Sequence, residues 1–432
     1  MKTTSPYCNT LTHFSRLKTR EVLVGSVGIG GGNPIRIQSM TTVSTMNTNM
    51  AIQQSIKMIN EGCELVRLTA PSIKEAKNLY DIKNGLLKEG YTAPLIADIH
   101  FTPNAAIEAA KIVEKVRINP GNFADKKSFQ TYSYSKLEYS SELKRIEAKL
   151  SPLIETCKKH KTAIRIGTNH GSLSDRIMSQ YGDTPLGMVE SALEFVRICE
   201  KLDYNDIVLS MKASNPIVMM HAYRLLVNRM GQENMNYPLH LGVSEAGEGS
   251  DGRIKSAIGI GSLLLDGIGD TIRVSLTEPP ENEIPVSKLI IKYIKEKENH
   301  DPVLGVLKNP LSPFSYSRRV THPTVNIGGN NNPVVIADFS FKRDIDYSDF
   351  LSIGYNYSIQ LDKWNISETA SDYVFLGDND INFEKPGSLQ FIYNYKKWVT
   401  HRKGYPLLSS KEYLNSTYLS DRLNLVQVYM SD

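Results

Sequence analysis

The chain has 432 residues, with 50 lysines and arginines against 46 aspartates and glutamates, a formal net charge of +4 and 41% hydrophobic residues. This composition excludes intrinsic disorder for most of the chain, and the small basic excess gives no reason to expect a nucleic acid or an anionic membrane as partner. No apolar run reaches the roughly 18 residues of a membrane-spanning helix, and the N-terminus lacks the apolar core of a secretory signal. We therefore expect a cytoplasmic protein.

Eight short runs rich in valine, isoleucine and leucine recur along the first two thirds of the chain, and each is typical of a buried parallel strand. They cover residues 34–40, 63–69, 94–100, 115–121, 162–168, 206–214, 237–245 and 270–277. Helical patterns lie between them: an apolar stripe runs from Asn47 to Asn60, and Pro71, Pro103 and Pro185 mark the starts of further helices. Eight such units predict an α/β fold, a (β/α)8 TIM barrel over residues 1–285, with an open doubly wound sheet as the alternative.

Two segments depart from this alternation. A glycine-rich stretch over residues 25–33 precedes the first strand of the barrel, whereas a phosphate-cradling loop follows a strand and opens a helix. We therefore interpret it as a hairpin across the barrel floor. The second departure is the long connection over residues 122–160, which holds a polar stretch and then a long helix.

Beyond residue 285 the composition shifts toward asparagine, tyrosine, aspartate and serine. A strand-like run over residues 332–340 is similar in sequence to the third barrel strand, with Asp338 in the place of Asp98. Residues 286–432 are therefore predicted to be a partial insert domain, the start of a second α/β barrel-like unit. No domain-closing signal comes after it, so we expect that the chain is cut short.

Cationic side chains stand at the predicted C-terminal ends of five strands, the end at which barrels of this kind carry their function. These cations are Arg67, Arg117, Arg165, Lys212 and Arg273. Only Asp98 and Glu245 offset them at the strand ends, so the cations would repel one another unless an anion lay between them. Arginine binds phosphate oxygens through two parallel hydrogen bonds, and lysine adds a point charge. The residues alone thus predict a small ligand with two or more phosphate groups.

The two carboxylates leave alternatives open. Asp98 and Glu245 could anchor a substrate hydroxyl or move a proton, or they could only neutralise the neighbouring arginines. The sequence leaves three roles open for His100: a proton carrier, a hydrogen-bond donor or a core histidine. Asn169 can donate a hydrogen bond to an anion or to a hydroxyl. The segment 245–267 places glycines before a helix, which suits either backbone contacts to phosphate or a tight turn.

Eight motifs, taken in order, resemble the barrel of the 4-hydroxy-3-methylbut-2-enyl diphosphate synthase family of the methylerythritol phosphate pathway. They are IRIQSMT, CELVRLT, PLIADIHF, KVRINPGN, AIRIGTNHGSL, LSMKAS, LHLGVSEAGEG and GDTIRVSLTEPP. The segment after the barrel resembles the start of the extra insert of the long members. The resemblance implies an oxidoreductase that converts 2-C-methyl-D-erythritol 2,4-cyclodiphosphate to 4-hydroxy-3-methylbut-2-enyl diphosphate, with electrons from reduced flavodoxin or ferredoxin.

The resemblance also implies roles for particular residues. Those that match the family's grip on the diphosphate are Arg67, Arg117, Arg165, Asn169, Lys212, Arg273 and Ser275. Asp98 and Glu245 match the carboxylates near the substrate hydroxyls and are the catalytic candidates, with Glu245 the better candidate for proton delivery.

The family's electrons pass through a [4Fe–4S] cluster that is held by three cysteines and one glutamate in a separate C-terminal domain. This chain has four cysteines, at positions 8, 63, 157 and 199, and their spacing matches neither those ligands, a disulfide framework nor a zinc site. We therefore expect the cluster domain in a longer protein or in a separate chain, and a homodimer is a further possibility.

Two other functions remain open on the sequence alone. A dihydropteroate synthase-like transferase would use the same end of a barrel without a cluster. A pterin substrate, however, carries too little charge to explain five cations at that end. A non-catalytic barrel that binds a diphosphate metabolite would need the cations but not the electrons.

Overall fold

The computed structural model describes residues 7–100, 102–125, 132–244, 246–247, 249–305 and 311–429. The chain forms two compact units, which divide between Ser317 and Arg318. Among the helices within these ranges, none is both long enough and apolar enough to cross a membrane.

The first unit begins with a short antiparallel hairpin of β1 (Val22–Val24) and β2 (Val27–Ile29). Gly25 takes a φ of +59° at its turn, a conformation that favours glycine. The hairpin side chains pack against residues of four barrel strands; this contact consists of Val22, Val24, Ile29, Leu65, Ile96, Ala163 and Val208. The glycine-rich stretch therefore forms part of an apolar floor for the barrel, as predicted.

The barrel itself has eight parallel strands. They are β3 (Arg36–Met40), β4 (Leu65–Ala70), β5 (Leu95–Ile99), β6 (Lys115–Ile118), β7 (Ala163–Asn169), β8 (Ile207–Lys212), β9 (His240–Leu241) and β10 (Thr271–Ile272). Their order is β8-β7-β6-β5-β4-β3-β10-β9, and a parallel bridge between Leu209 and Leu239 brings the two ends of this sheet together. The predicted closed barrel is thus confirmed over the open sheet.

The last two strands are shorter than predicted. Regular pairing of β9 and β10 covers two residues each, but backbone bonds continue beyond them, from Arg273 N to Leu241 O at 3.0 Å and from Ser244 N to Ala213 O at 3.1 Å. The chain keeps an extended course there while it loses the regular ladder, so the side chains after both strands still reach the C-terminal end of the barrel.

Helices follow the strands and cover the outside of the barrel. They are α1 (Thr48–Asn60), α2 (Ile73–Lys88), α3 (Pro103–Ala110), α4 (Pro120–Phe123), α5 (Lys136–His160), α6 (Asp175–Tyr181), α7 (Pro185–Lys201), α8 (Pro216–Gln232), α9 (Gly249–Ser256), α10 (Ser262–Leu265) and α11 (Glu283–Lys297). The predicted helix starts are confirmed: Ser72 and Glu75 form a capping box before α2, and Pro103 and Pro185 occupy the first turns of α3 and α7.

Helix α11 also belongs to the first unit. Its buried face, which includes Ile284, Ile291 and Ile294, packs into the barrel's hydrophobic core. The sequence-based boundary at residue 285 falls inside this helix, whereas the two compact units divide between Ser317 and Arg318.

The second unit contains a parallel sheet and a small antiparallel hairpin. In the sequence, the hairpin lies between the first two strands of the sheet. Its strands and helices are β11 (Ile336–Asp338), β12 (Tyr355–Ser358), β13 (Lys363–Ile366), β14 (Tyr373–Gly377), β15 (Gln390–Asn394), α12 (Tyr395–His401), β16 (Tyr405–Ser409), α13 (Ser410–Asn415) and β17 (Leu425–Gln427). The sheet has the order β11-β14-β15-β16-β17, while β12 and β13 pair antiparallel. The predicted second α/β unit is therefore present, although Asp338 is exposed and its carboxylate accepts a bond from Ser340 N at 2.9 Å.

Candidate functional site: a buried cluster of cations in the barrel

Three charged residues stand side by side on adjacent barrel strands. Asp98 on β5 is in register with Arg117 on β6, and Arg117 is in register with Arg165 on β7. Neighbours in register on parallel strands project their side chains to the same face. All three are buried, so the barrel places a carboxylate and two guanidinium groups next to one another in its interior.

Asp98 is the centre of an ion-pair network. Its carboxylate accepts hydrogen bonds from Arg67 Nη2 and from Arg117 Nη1, the latter at 3.2 Å, and His100 Nε2 lies 3.5 Å from Oδ2. Burial would raise the pKa of this carboxyl, but the charges of Arg67 and Arg117 and the bond from His100 hold it well below its usual range. Asp98 is therefore ionised, and it fixes the positions of two arginines.

Arg117 also crosses to the neighbouring strand. Its Nη2 donates to Gly167 O at 3.0 Å and to Asn169 Oδ1 at 3.4 Å. A Cβ atom at position 167 would lie 2.9 Å from Arg117 Nε and 2.8 Å from Ser210 Oγ. Glycine at this position is what allows the guanidinium to lie across β7, with the amide of Asn169 beside it.

Arg165 carries an electrostatic cost, because no carboxylate of the described residues forms an ion pair with it. It is 1% solvent-exposed, and its Nε and Nη1 atoms have no hydrogen-bond partner among the described residues. Burial, together with the charges of Arg67 and Arg117, lowers the pKa of this guanidinium well below its usual value. A buried guanidinium without a partner costs several kcal/mol, which an anion between it and its neighbours would offset.

Lys212 at the end of β8 is, like Arg165, a buried basic side chain without a carboxylate partner among the described residues. It is buried and makes no ion pair within the part of the chain that the structure describes. Burial and then the charges of Arg67, Arg165 and Arg273 lower its pKa well below the usual value. A Cβ atom at position 242 would lie 3.0 Å from Lys212 Nζ, so Gly242 leaves the room that the ammonium group needs.

Arg273 lies just beyond β10 and is held by a carboxylate. Its Nε and Nη2 donate to the two oxygens of Glu283, each at 3.2 Å, and Glu283 also accepts from Ser39 Oγ at 2.6 Å. Ser275 comes two residues later and is half-buried. The N-terminus of α11 thus fixes the direction of Arg273.

Two buried bases and one carboxylate were not predicted from the sequence. Lys115 on β6 and His240 on β9 are 0% exposed, and neither Lys115 Nζ nor either ring nitrogen of His240 has a hydrogen-bond partner in the described ranges. The spacing contained a signal for Lys115, because it stands two residues before Arg117 and so shares its face of the strand. Lys115 lies deeper in the barrel than the other cations, which are found at the strand ends. Glu283 gave no sequence signal, because its contact with Arg273 depends on where α11 begins.

Cations outnumber carboxylates in this site. The interior cation cluster consists of Arg67, Lys115, Arg117, Arg165, Lys212 and Arg273. The buried carboxylates that contact it, among the residues with described positions, are Asp98 and Glu283. The excess of positive charge lies in a water-poor interior, where it acts more strongly than at a surface. Such an arrangement is suited to a compact ligand with several negative charges.

Other residues predicted for this region have different settings. Glu245 lies outside the described residues. His170 Nε2 lies 3.2 Å from Asp183 O, and the carboxylate of Asp183 accepts from Gly171 N, which ties two loops together. The glycines after β9 do precede a helix: Gly247 has a φ of +109°, and α9 begins at Gly249. Phosphate contacts there stay a prediction.

The described residues do not fit an iron–sulfur cluster. They contain no group of three or more histidines, cysteines, aspartates or glutamates that could hold a metal ion. All four cysteines are buried free thiols, and burial raises the pKa of Cys63 and of Cys157 to about 12. A cluster ligand must be a thiolate, which these environments oppose.

A surface cavity of about 560 Å³ lies apart from the cation cluster. Helices α7 and α8 and residues 314–316 line it, with Leu186, Ile217, Leu225 and Phe314 among its apolar contacts. Its described lining contains no arginine or lysine, so it does not compete with the barrel interior as an anion site.

Comparison with known proteins shows which proteins this chain resembles. A sequence profile described as the GcpE TIM-barrel domain matches residues 19–288. A 4-hydroxy-3-methylbut-2-en-1-yl diphosphate synthase (flavodoxin) of Protochlamydia amoebophila is 60% identical over 380 residues, which cover 88% of this chain and 58% of that protein. A protein of the same name from Parabacteroides distasonis is 48% identical over 401 residues, covering 93% of this chain and 62% of that protein. The chain thus spans about three fifths of the length of these two curated relatives.

A remote structural likeness also exists. A dihydropteroate synthase of Yersinia pestis, solved in complex with a sulfonamide drug, superimposes with a TM-score of 0.40 at 13% sequence identity. The superposition covers 64% of this chain and 100% of that chain.

Proposed function

The chain belongs to the GcpE TIM-barrel domain family, and from this premise we propose that it supplies the diphosphate-binding barrel of a 4-hydroxy-3-methylbut-2-enyl diphosphate synthase. The substrate is then 2-C-methyl-D-erythritol 2,4-cyclodiphosphate, which is opened and dehydrated reductively. The relatives' names add flavodoxin, so the electron donor is a reduced flavodoxin or a similar carrier in the cytoplasm.

The interior cation cluster is the observation that carries this proposal. Six basic side chains lie buried in one barrel with two carboxylates in contact with them, as far as the described ranges extend. Folding gains nothing from charges that repel one another in a poorly hydrated interior. A cyclic diphosphate, which carries one negative charge on each phosphate, would convert this repulsion into attraction.

Different members of the cluster bind the ligand in different ways. Arg165 and Lys212 lack carboxylate partners in the described structure, so their N–H groups are left to bind the phosphate oxygens. Arg67 and Arg117 are held by Asp98, and Arg273 by Glu283, so their remaining N–H groups keep fixed directions. Asn169 and Ser275 add neutral hydrogen bonds at the end of the barrel.

The two carboxylate candidates then divide their roles. An ionised Asp98 that two arginines hold is suited to positioning those arginines and to accepting a hydrogen bond from a substrate hydroxyl, rather than to donating a proton. Proton delivery falls to Glu245, on the strength of the family resemblance, as that residue lies outside the described part of the chain.

The reduction needs a redox group, and the cysteines of this chain do not fit a [4Fe–4S] cluster. We therefore place the cluster ligands in protein that the described residues do not include, either in a cluster-bearing partner chain or in further sequence. Apart from the cluster, we propose a second copy of the chain as a partner in a homodimer. The barrel's own contribution is to bind, orient and neutralise the diphosphate.

Calorimetric titration of the chain with the cyclodiphosphate tests this proposal without requiring turnover. Substituting Arg165→Ala or Lys212→Ala should weaken binding by about 2–5 kcal/mol, because each removes a desolvated charge from the ligand's surroundings. Lys111→Ala, at an exposed surface ion pair with Glu108, is the matched control and should leave the affinity unchanged. Equal affinity of Arg165→Ala, Lys212→Ala and the unaltered chain would refute the assignment.

A further inference from the structure

Lys115 occupies an unusual place between the floor and the charged end of the barrel. On β6 it is in register with Ile96 of β5 and Ala163 of β7, both of which pack on the floor hairpin. Its side chain therefore starts at the apolar floor, one inward-facing position below Arg117. It is 0% exposed, and its Nζ has no hydrogen-bond partner in the described structure.

The groups that surround Lys115 are mostly cationic. The titratable and charged side chains that the surrounding barrel elements present are Arg67 from β4, Asp98 from β5, Arg117 from β6, Arg165 from β7, Lys212 from β8, His240 from β9 and Arg273 with Glu283 beyond β10. The floor hairpin adds apolar contacts. Asp98 and Glu283 already pair with arginines, so neither is left to neutralise an ammonium group at Lys115.

The ligand-free barrel therefore favours a neutral Lys115. Burial, and then the charges of Arg165 and Arg67, lower its pKa well below the usual value. The neutral amine keeps a lone pair, which can accept a hydrogen bond from a guanidinium or from a water molecule. The Nε and Nη1 atoms of Arg165, unpartnered within the described ranges, are donors of this kind.

Binding of an anion would reverse this balance. Two negative charges placed among Arg165, Lys212 and their neighbours cancel the repulsion that keeps Lys115 neutral. We propose that Lys115 takes up a proton from solvent when a phosphoanion binds at the C-terminal end of the barrel, and that its ammonium group then adds a positive charge below the ligand. Lys115 is thus a positioning residue, and its role rests on the proposed diphosphate site.

Lys115 is a better proton acceptor than the other buried base of this layer. A lysine amine is about four pKa units more basic than an imidazole before either is buried, so the amine takes the proton first when a negative charge enters. His240, also without partners among the described residues, keeps a neutral ring that can accept a bond from the new ammonium group. Lys212 is a second buried amine with a lowered pKa, so the test includes a variant at that position.

The test is a calorimetric titration of the 432-residue chain with 2-C-methyl-D-erythritol 2,4-cyclodiphosphate in buffers of different ionisation enthalpy. Each phosphate of this ligand has two ester or anhydride bonds and a single strongly acidic oxygen, so the ligand has no proton to exchange near neutral pH. Every proton that the buffers lose is therefore bound by the protein. The unaltered chain should take up close to one proton per ligand, and its affinity should fall by up to about tenfold per pH unit as the pH rises.

Lys115→Met keeps the length of the side chain and removes the base. Proton uptake should fall toward zero and the dependence of affinity on pH should flatten, which a purely structural role of Lys115 would not produce. Lys292→Met makes the same change at an exposed position of α11. This control should keep both the proton uptake and the dependence of affinity on pH. Should Lys115→Met fail to fold, Lys115→Gln, which also lacks a titratable group, takes its place, and the unaltered chain still refutes the inference if it binds the ligand without proton uptake.

The outcomes separate this inference from the proposed function. If the unaltered chain does not bind the cyclodiphosphate, both fail. If it binds without proton uptake, or if uptake is the same in Lys115→Met, the diphosphate site stands and the role of Lys115 is refuted. Loss of uptake in His240→Gln or in Lys212→Met, but not in Lys115→Met, would also refute it and would assign the proton to the substituted residue.

Discussion

The two ends of the barrel are built from the same strands and bury opposite kinds of side chain. Leu65, Ile96 and Ala163 on β4, β5 and β7 pack against the floor hairpin. Two residues further along each of these strands stand Arg67, Asp98 and Arg165. The apolar layer and the charged layer are thus adjacent, one inward-facing position apart on each strand. The same strands form the core of the fold and the candidate site.

This difference has an energetic meaning. Full burial of a large aliphatic side chain at the floor stabilises the fold by about 1.5–3 kcal/mol. The charged layer does the reverse, because desolvating ions costs several kcal/mol and only part of that is recovered by pairing. Stability therefore explains the floor, whereas we attribute the cation cluster to the proposed ligand. Substitutions at the two ends should separate these effects.

The largest effect is expected at Asp98. Asp98→Asn leaves Arg67 and Arg117 without their carboxylate and should lower the free energy of unfolding of the ligand-free chain by about 3–5 kcal/mol. Because the folded-state pKa of Asp98 is depressed, its contribution is present above the unfolded pKa of about 3.9 and is lost as the pH falls through the folded value.

Urea unfolding measures the loss at Asp98. Asp81→Asn, at an exposed site on α2, is the control and should change little. A loss no larger than that of Asp81→Asn would contradict the proposed network.

A smaller effect is expected from the pH dependence of stability at Lys115. A lysine that is neutral in the folded state and charged when unfolded makes the unaltered chain more stable as the pH rises toward the unfolded pKa of about 10.4. Lys115→Met lacks this dependence and should be more stable near pH 7. Its advantage should shrink by about 2 kcal/mol between pH 7 and pH 8.5, as measured in urea. A constant difference would mean that Lys115 is charged in the ligand-free fold.

Gly167 allows a change of geometry without a change of charge. Gly167→Ala places a Cβ atom 2.9 Å from Arg117 Nε and should displace that guanidinium. We expect the affinity for the cyclodiphosphate to fall about tenfold, equivalent to about 1.4 kcal/mol. Gly231→Ala, where a Cβ atom would contact no described atom within 4 Å, serves as the control in the same titration. If both variants bind equally well, the position of Arg117 does not matter for the ligand.

The smallest effect is expected at the floor. Ile96→Val removes one methyl group from the contact with the hairpin and should lower the free energy of unfolding by about 0.5–1.5 kcal/mol. The affinity for the cyclodiphosphate should stay the same, because no cation moves. A weaker affinity in this variant would show that the two ends of the barrel are not independent.

The sequence was sufficient for the fold and for part of the site. Alternating apolar runs and helix starts predicted the barrel, because buried parallel strands and proline at a first turn leave local signals. The strand-end cations were also visible. Lys115 and His240 were missed because they lie deeper in their strands, and the pairing of Arg273 with Glu283 depends on a helix that the sequence analysis did not predict.

Repeats were the least informative part of the sequence. The run that contains Asp338 is similar in sequence to the run that contains Asp98, yet Asp338 is exposed. The one side-chain hydrogen bond that the structure describes for Asp338 comes from Ser340 N, in the turn that follows it. Its neighbour in register on β14 is Phe375, whereas Asp98 has Arg117 beside it. A local motif therefore did not determine the environment, because that environment comes from the adjacent strands.

The most direct test of the central claim is a crystal structure of the chain with 2-C-methyl-D-erythritol 2,4-cyclodiphosphate. Our account predicts phosphate oxygens within hydrogen-bonding distance of Arg165 and Lys212, with Asp98 still between Arg67 and Arg117. A ligand bound outside the barrel, with the guanidinium of Arg165 still lacking a partner, would contradict it.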